Sequence, residues 1–189
     1  MGGHRFNPEK ADKLLSEDRQ QQLPYKQIMD MLELSKRDVI ADLGAGNGYF
    51  TIPMAGHTKE PVYAVDIEPE MIDMLKNRAA EARVNNIDYL ISDLEHIPID
   101  SQSVDKVMVS LVIHEVPSIE NALTEIRRIL KPGGIVLFIE WEAIETDDGP
   151  PIHEKIPSGE LAETLQAQGF ETTVFQLYSS HYAIKAKRV

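Results

Sequence analysis

The feature that most constrains this chain is a glycine-rich stretch set between two apolar segments, VIADLGAGNGYF at residues 39–50. A short apolar run ends near Asp42, glycines follow at 44, 46 and 48, and apolar residues then return at helical spacing. This order predicts a buried strand, a tight loop and a helix, because glycine accepts positive φ angles and has no Cβ to hold a ligand away. Asp42 falls at the carboxyl end of the predicted strand, where open α/β sheets bind their ligands. Unpaired N–H groups at the start of the following helix favour a ligand carboxylate or phosphate.

The spacing of these glycines distinguishes between classes of cofactor. A dinucleotide-binding dehydrogenase uses G-x-G-x-x-G, but here Tyr49 stands at the third glycine position and a glycine stands instead at 48. The G-x-G-x-G form, with an acid two residues before the first glycine, resembles the first motif of the class I S-adenosylmethionine-dependent methyltransferases. A plain strand-to-helix connection without a ligand also fits the loop taken alone. The later segments are therefore needed to decide whether the loop binds a cofactor.

Two further acids follow predicted strands. Residues 61–66 predict a buried strand that ends at Asp66, 20 residues beyond Gly46 and near the spacing at which a Rossmann-type acid binds ribose hydroxyls. Residues 86–94 predict a third strand leading into a loop. In the methyltransferase pattern the acid after this strand, here Asp93, accepts from the adenine amino group, and the backbone N–H of Leu94 meets a ring nitrogen. A helix or turn cap is the alternative for Asp93.

The segments SVDKVMVSLVIHEV and ALTEIRRILKPGGIVLFIEW extend the resemblance, which runs from about residue 24 to 189. The remaining predicted elements are a helix at about 49–57, a helix at 69–82, a strand at 103–110, a helix at 118–130, a strand at 135–139, a helix at 158–168 and strands at 171–178 and 181–187. The resemblance implies one doubly wound, Rossmann-like α/β domain with helices on both faces of a seven-stranded sheet. Its strand order would be 3-2-1-4-5-7-6, with the last strand antiparallel. The ubiquinone/menaquinone-biosynthesis methyltransferases share this core, but nothing here selects their substrate.

Residues 1–36 are expected to form a polar, helical extension in front of a cofactor-binding domain at residues 37–189. From Tyr25, apolar positions at spacings of three and four, such as Ile28 and Leu32, predict an amphipathic helix that lies on the core. The resemblance implies that the extension covers cofactor and substrate as a lid, and a surface arm without ligand contact is the alternative. The residues of the extension that could reach the active site are His4, Arg5, Phe6 and Tyr25.

The strand ends and the resemblance together define a predicted site for S-adenosylmethionine, with S-adenosylhomocysteine as the product. Asp42 is expected at the ammonium group of the methionine portion and Ile67 against the adenine. Asp66 is expected at the ribose, because two carboxylate oxygens suit the two hydroxyls of a cis-diol. The predicted cofactor-binding residues are Asp42, Gly44, Ala45, Gly46, Gly48, Asp66, Ile67, Met71, Asp93, Leu94 and Ser110.

His114, just past the predicted fourth strand, is the candidate catalytic base. A histidine there can take a proton from a hydroxyl, an amine or an acidic carbon. Such a base is needed only where the attacking atom of the acceptor arrives protonated. The alternative is a hydrogen-bonded histidine that shapes the rim of the pocket. Tyr25, Glu115 and Trp141 are the candidate substrate residues, although Trp141 can also simply close the core. We assign no metal site, because His114, Glu115 and His153 lack a metal-binding spacing.

Composition limits the partners that we expect. The chain of 189 residues has 19 Lys and Arg against 31 Asp and Glu, a net charge of −12. Phosphate-backbone binding needs the opposite field, so we expect no nucleic-acid partner. The resemblance implies a small-molecule acceptor. The absence of cysteine excludes disulfides, thiolate zinc sites and cysteine nucleophiles. Without an apolar run of about 18 residues or a visible targeting signal, we expect no membrane association and a cytoplasmic protein. Both a monomer and a homodimer stay open.

Two other functions stay open at this point. An NAD-dependent oxidoreductase would share Asp66 but would leave Gly48 and Asp93 without roles, and Tyr49 would be wrong for it. A non-catalytic cofactor-binding module is the other, because a fold does not entail an activity.

Overall fold

The computed structural model of this protein describes residues 16–189, apart from the side chains at 17 and 18. The candidates His4, Arg5 and Phe6 therefore lie outside the described residues. The helices are α1 (Glu17–Gln22), α2 (Tyr25–Leu32), α3 (Thr51–His57), α4 (Pro69–Glu81), α5 (Ile119–Ile129) and α6 (Ser158–Ala167). The strands are β1 (Ile40–Leu43), β2 (Val62–Asp66), β3 (Ile87–Ile91), β4 (Val104–Ser110), β5 (Leu130–Trp141), β6 (Phe170–Tyr178) and β7 (His181–Arg188).

The strands of this range form one sheet in the order β3-β2-β1-β4-β5-β7-β6. Strands β1 to β5 pair in parallel, and β7 runs antiparallel to both β5 and β6. This confirms the predicted sheet, including its antiparallel last strand. The strand order reverses between β1 and β4, and the crevice beyond the carboxyl ends at such a point is where open α/β sheets bind ligands.

The centre of the sheet is buried on both faces, which explains why β1 and the second half of β5 are almost continuously apolar rather than alternating. Side chains of β1 alternate between two cores. Ala41 and Leu43 belong to a core completed by α5 and α6, whereas Ile40 belongs to a core completed by α2, α3 and α4. Because β1 is covered from both sides, its carboxyl end holds the glycine loop in a fixed position.

Helix α2 anchors the residues before β1 to the second core. Ile28 and Leu32 are fully buried on one face of this helix, and Leu23 is buried just before it. The phenol of Tyr49 donates a hydrogen bond to the carbonyl of Leu23 at 2.8 Å. The amphipathic helix predicted from Tyr25 is therefore confirmed, and the residues in front of it lie against the end of the glycine loop.

Some element bounds differ from the sequence prediction. The strand expected at 135–139 already begins at Leu130, and α5 correspondingly ends at Ile129. Leu130 pairs with Val104 before the ladder shifts register, and Gly133 takes a φ of 75°. The proline and glycines at 132–134 thus produce an irregularity inside the strand, because the chain resumes pairing on both sides of them.

Helix α3 begins at Thr51, two residues later than predicted, since the turn of the glycine loop extends through Phe50. None of the helices in the described range combines the length and apolar character that crossing a bilayer requires.

Candidate active site

At each end of the glycine loop a neighbouring side chain leaves no room for a Cβ. Gly44 and Gly48 have φ angles of 74° and 86°. A Cβ added to Gly44 would lie 2.7 Å from Val112, and one added to Gly48 would lie 2.1 Å from Leu75. Ala45, between them, is buried. Both the backbone conformation and the close approach therefore require glycine at 44 and 48.

Asp66, the last residue of β2, faces the glycine loop rather than bulk solvent. The N–H of Gly46 donates to Asp66 Oδ2 at 2.7 Å, and the N–H of Glu68 donates to Oδ1 at 2.9 Å. Burial raises the pKa of this carboxyl, while the two backbone donors oppose the shift. Each oxygen still has a lone pair for a further donor, so the carboxylate can accept two hydroxyl groups.

Asp42, near the end of β1, is a buried acid with a hydroxyl partner. The Thr51 hydroxyl donates to Asp42 Oδ2 at 2.5 Å. Burial raises the pKa of Asp42 to about 7; the Thr51 hydrogen bond opposes this rise and the nearby charge of Asp66 adds to it. A positively charged group brought to this carboxyl would therefore stabilise its ionised form.

The remaining predicted cofactor residues occupy different environments. Ile67 follows Asp66 and keeps 37% of its surface exposed, whereas Met71 and Leu94 are buried. Asp93 Oδ1 accepts from the N–H of Glu95 at 2.9 Å and lies 3.1 Å from His96 Nδ1, so the turn-cap geometry considered for Asp93 is present. Ser110 Oγ, at the end of β4, is buried without a hydrogen-bond partner in the described part of the chain.

His114 lies in a one-turn 3-10 helix, Ile113–Glu115, beyond the end of β4. Its Nδ1 is 2.8 Å from Oε2 of Glu140, and the two side chains are 5% and 0% exposed. The other oxygen of Glu140 accepts the backbone N–H of Trp141 at 2.8 Å. Glu115 Oε1 lies 3.9 Å from His114 Nε2. The Glu140 carboxylate therefore favours the tautomer with hydrogen on Nδ1 and leaves Nε2 free of that bond.

Neighbouring acids control the protonation of His114. Burial by itself lowers the pKa of His114, but the hydrogen bond and charge of Glu140, with smaller contributions from Glu115 and Glu154, outweigh burial and raise it. Neutral His114, the form that can accept a proton, therefore predominates at a higher pH than for an unperturbed histidine.

Trp141 and His181 pack together beside this histidine–glutamate pair. Their ring centroids are 4.0 Å apart, and a Cβ added to Gly149 would lie 2.7 Å from the indole. The Lys155 ammonium lies 5.4 Å from the centre of the same indole. The Trp141 ring is thus covered by the 142–157 segment, an arrangement that fits closure of the core; contact of Trp141 with substrate stays a prediction.

Tyr25, a substrate candidate, and His153, considered as a metal ligand, both have exposed side chains. Tyr25 begins α2 and is 53% exposed, so its ring is not enclosed with His114. His153 has a side chain that is 76% exposed and lies 3.9 Å from Glu154. In the described ranges no group of three or more His, Asp or Glu residues is arranged to hold a metal ion.

Two buried polar residues, Glu140 and His181, and the half-buried Arg19 lie near this edge of the sheet and were not selected from the sequence. Glu140 carried a visible signal, an acid inside the otherwise apolar run 135–141. Arg19 and His181 carried none, because their importance depends on contacts with residues distant in sequence. The guanidinium carbon of Arg19 lies 5.8 Å from the ring centre of Tyr49. His181 is buried at the start of β7 beside Trp141.

Comparisons with known proteins agree with this geometry. A family model described as a methyltransferase domain matches residues 41–138. A ubiquinone/menaquinone biosynthesis C-methyltransferase of Acidiphilium cryptum is 27% identical over 69% of this chain and 53% of that protein. An uncharacterized methyltransferase-like protein of Schizosaccharomyces pombe is 36% identical over 68% of this chain and 47% of its own length. The chain thus spans about half the length of these curated relatives.

A solved structure shares almost the whole fold. The crystal structure of a S-adenosylmethionine-dependent methyltransferase from Aquifex aeolicus superimposes with a TM-score of 0.91 at 24% identity, covering 98% of this chain and 100% of that one. The family match extends over 98 of the 189 residues and takes in β1 to β4 and most of β5. The chain therefore belongs to the methyltransferase domain family.

Proposed function

We propose that this protein transfers the methyl group of S-adenosylmethionine to a small-molecule acceptor. The observation that carries the proposal is the position of Asp66, whose carboxylate bonds to the N–H of Gly46 at the junction of β1 and β2. A carboxylate held against the glycine loop suits a ligand that combines a cis-diol with a charged tail.

The donor-binding roles follow from the residues present. Asp66 would accept the ribose hydroxyls, and the exposed part of Ile67 would cover the adenine. Asp42 would receive the ammonium group, which would offset the desolvation of its carboxylate. The buried Ser110 hydroxyl, which has no partner in residues 16–189, is available to a polar ligand atom. Asp93 and the Leu94 N–H would bind the adenine edge, with Asp93 keeping its turn-cap bonds.

The acceptor-side chemistry is assigned to His114. The bound donor supplies a methyl group already activated on sulfur, so positioning contributes most to the reaction. His114 Nε2 would accept the proton that the acceptor loses from oxygen, nitrogen or carbon, while Nδ1–H donates to Glu140. Glu140 acts through His114 and is a positioning residue, since its fully buried carboxylate fixes the ring and its tautomer.

Charge and family resemblance favour a small molecule as the acceptor. The net charge of −12 opposes a nucleic-acid substrate. The named relative from Acidiphilium cryptum is a ubiquinone/menaquinone biosynthesis C-methyltransferase, and the Serratia marcescens relative is a malonyl-[acyl-carrier protein] O-methyltransferase. Neither name identifies the acceptor of this chain.

Calorimetric titration with S-adenosylhomocysteine tests the proposal. Wild type should bind one equivalent and should not bind NAD comparably. Asp66→Ala should weaken binding roughly 10- to 100-fold, as expected for lost charge-assisted hydrogen bonds. Asp73→Ala, at an exposed acid of α4, is the matched control and should bind like wild type. A folded wild type that binds no S-adenosylhomocysteine contradicts the proposal, and methyl uptake from labelled donor across a metabolite panel then identifies the acceptor.

A further inference from the structure

Arg19 of α1 is half-buried and places its positive charge beside Tyr49 at the end of the glycine loop. Its Nε is buried and has no hydrogen-bond acceptor among residues 16–189. Burial lowers the pKa of Arg19 to about 10, while the nearby Tyr49 and Glu140 act in the opposite direction. A guanidinium with that pKa is still charged near pH 7, and a buried N–H of a charged group without an acceptor is costly. A ligand anion would remove this cost.

The backbone around Arg19 is held in place independently of any ligand. The N–H of Leu23 donates to the Arg19 carbonyl at 2.8 Å, and the Leu23 carbonyl accepts from the Tyr49 phenol, also at 2.8 Å. Tyr49 directly follows Gly48, and its ring lies near the Arg19 guanidinium. These contacts hold Arg19 beside the loop proposed to bind the donor, and the charge of Glu140 also acts on its guanidinium.

We propose that Arg19 is an anion-binding residue of this active site and pairs with a carboxylate of a bound ligand. The inference rests on the proposed function, which supplies the ligands. A planar guanidinium pairs with carboxylates through two parallel hydrogen bonds, and a buried site strengthens such a pair. Two ligands offer this chemistry: the methionine portion of the donor, and an acceptor that itself carries a carboxylate.

The first arm of the test compares two ligands that differ only in the carboxylate. S-Adenosylhomocysteine and its decarboxylated analogue, 5′-deoxy-5′-(3-aminopropylthio)adenosine, are titrated calorimetrically into wild type, Arg19→Gln, Arg19→Lys and the control Arg37→Gln, an exposed arginine before β1. If Arg19 binds the donor carboxylate, the preference of wild type for S-adenosylhomocysteine should fall roughly 10- to 100-fold in Arg19→Gln and less in Arg19→Lys. Each preference is measured within one variant, so a general loss of stability cancels.

The second arm uses Trp141, the only tryptophan of the chain. It packs on His181, whose pKa is lowered to about 4 by burial and then by the charges of Arg19 and Lys155, so its indole lies close to the charge in question. Benzoate is titrated into protein saturated with S-adenosylhomocysteine. If Arg19 receives a carboxylate of the acceptor, benzoate should change the Trp141 fluorescence in wild type and in Arg37→Gln but not in Arg19→Gln.

Either response supports the proposal and identifies the source of the carboxylate. If Arg19→Gln keeps the wild-type preference between the two nucleosides and also the wild-type benzoate response, Arg19 is a packing residue and the inference is overturned. Failure of wild type to bind S-adenosylhomocysteine at all would instead overturn the proposed function, so the two failures are distinguishable.

Discussion

His114 and His181 are buried histidines at the same edge of the sheet, and their neighbours shift their pKa values in opposite directions. Burial lowers the pKa of both. At His114 the adjacent Glu140 carboxylate outweighs burial, whereas at His181 the positive charges of Arg19 and Lys155 add to it. One residue type therefore gives the proposed proton acceptor in one place and a packing group that is neutral near pH 7 in the other.

Glu140→Gln should lower the pKa of His114, because it removes the hydrogen bond and the negative charge that raise that pKa. NMR titration of the His114 ring measures this without knowledge of the acceptor, and Glu163→Gln on the exposed face of α6 is the control. With an acceptor in hand, the acidic limb of kcat/KM should move to lower pH and the plateau should fall roughly 10- to 100-fold. A titration that matches wild type would remove Glu140 from its positioning role.

The positions of the acids at the strand ends could be predicted from the sequence, whereas their roles stay predictions. Asp42, Asp66 and Asp93 each come at or just after the end of a predicted strand, and parallel strands bring those ends to one edge. Glu140 and Arg19 could not be placed in the same way. Glu140 is paired with a histidine 26 residues away, and Arg19 meets Tyr49 only after α1 and α2 fold back on the loop. Such pairings depend on packing that periodicity does not encode.

At the scale of elements, the contact between the glycine loop and α4 determines how closely the helix can approach the strand ends. Gly48 lies against the Leu75 side chain, which is fully buried in the core under the loop. The buried face of α2 and the two final strands were predicted because hydrophobic periodicity reports on elements directly. The strand order was predicted from the family resemblance. The early start of β5 was missed, since proline and glycines normally end an element.

Gly48→Ala should destabilise the protein by roughly 1–3 kcal/mol. The loop holds residue 48 at a positive φ that alanine disfavours, and the new methyl group would displace the Leu75 side chain. Gly56→Ala is the matched control: Gly56 lies in α3 with no atom within 4 Å of an added Cβ. That variant should be stabilised by about 0.5–1 kcal/mol through helix propensity. Urea unfolding at pH 7 measures both, and equal effects at the two glycines would refute the proposed close packing.

At the scale of the whole molecule, the dependence of folding stability on pH includes two buried groups, Asp42 and His181, whose pKa values are shifted in opposite directions. The pKa of Asp42 is raised to about 7 by burial, so the folded protein holds a proton that the unfolded chain releases above about pH 4. This contribution increases stability as pH falls from 7 towards 4. His181 has the opposite effect, because its pKa of about 4 lies below that of an unfolded histidine. In the dependence of wild-type stability on pH, the contributions of Asp42 and His181 therefore partly cancel.

His181→Gln isolates the histidine contribution. Between pH 6.5 and 4 the unfolded chain takes up a proton at His181 that the folded protein does not, so wild-type stability falls over this window. The variant loses packing against Trp141 and is expected to be less stable at pH 7. Its deficit relative to wild type should shrink by roughly 2–3 kcal/mol on going from pH 7 to pH 4, because a pKa difference of one unit corresponds to about 1.4 kcal/mol.

Urea unfolding of wild type, His181→Gln and His153→Gln at half-unit pH steps measures this change, with the exposed His153 as the matched control. His153→Gln should parallel wild type across the window. A His181→Gln deficit that is constant with pH would mean that His181 takes up its proton equally in the folded and unfolded states. Burial of His181, together with the charges of Arg19 and Lys155, would then not hold its ring neutral in the folded protein.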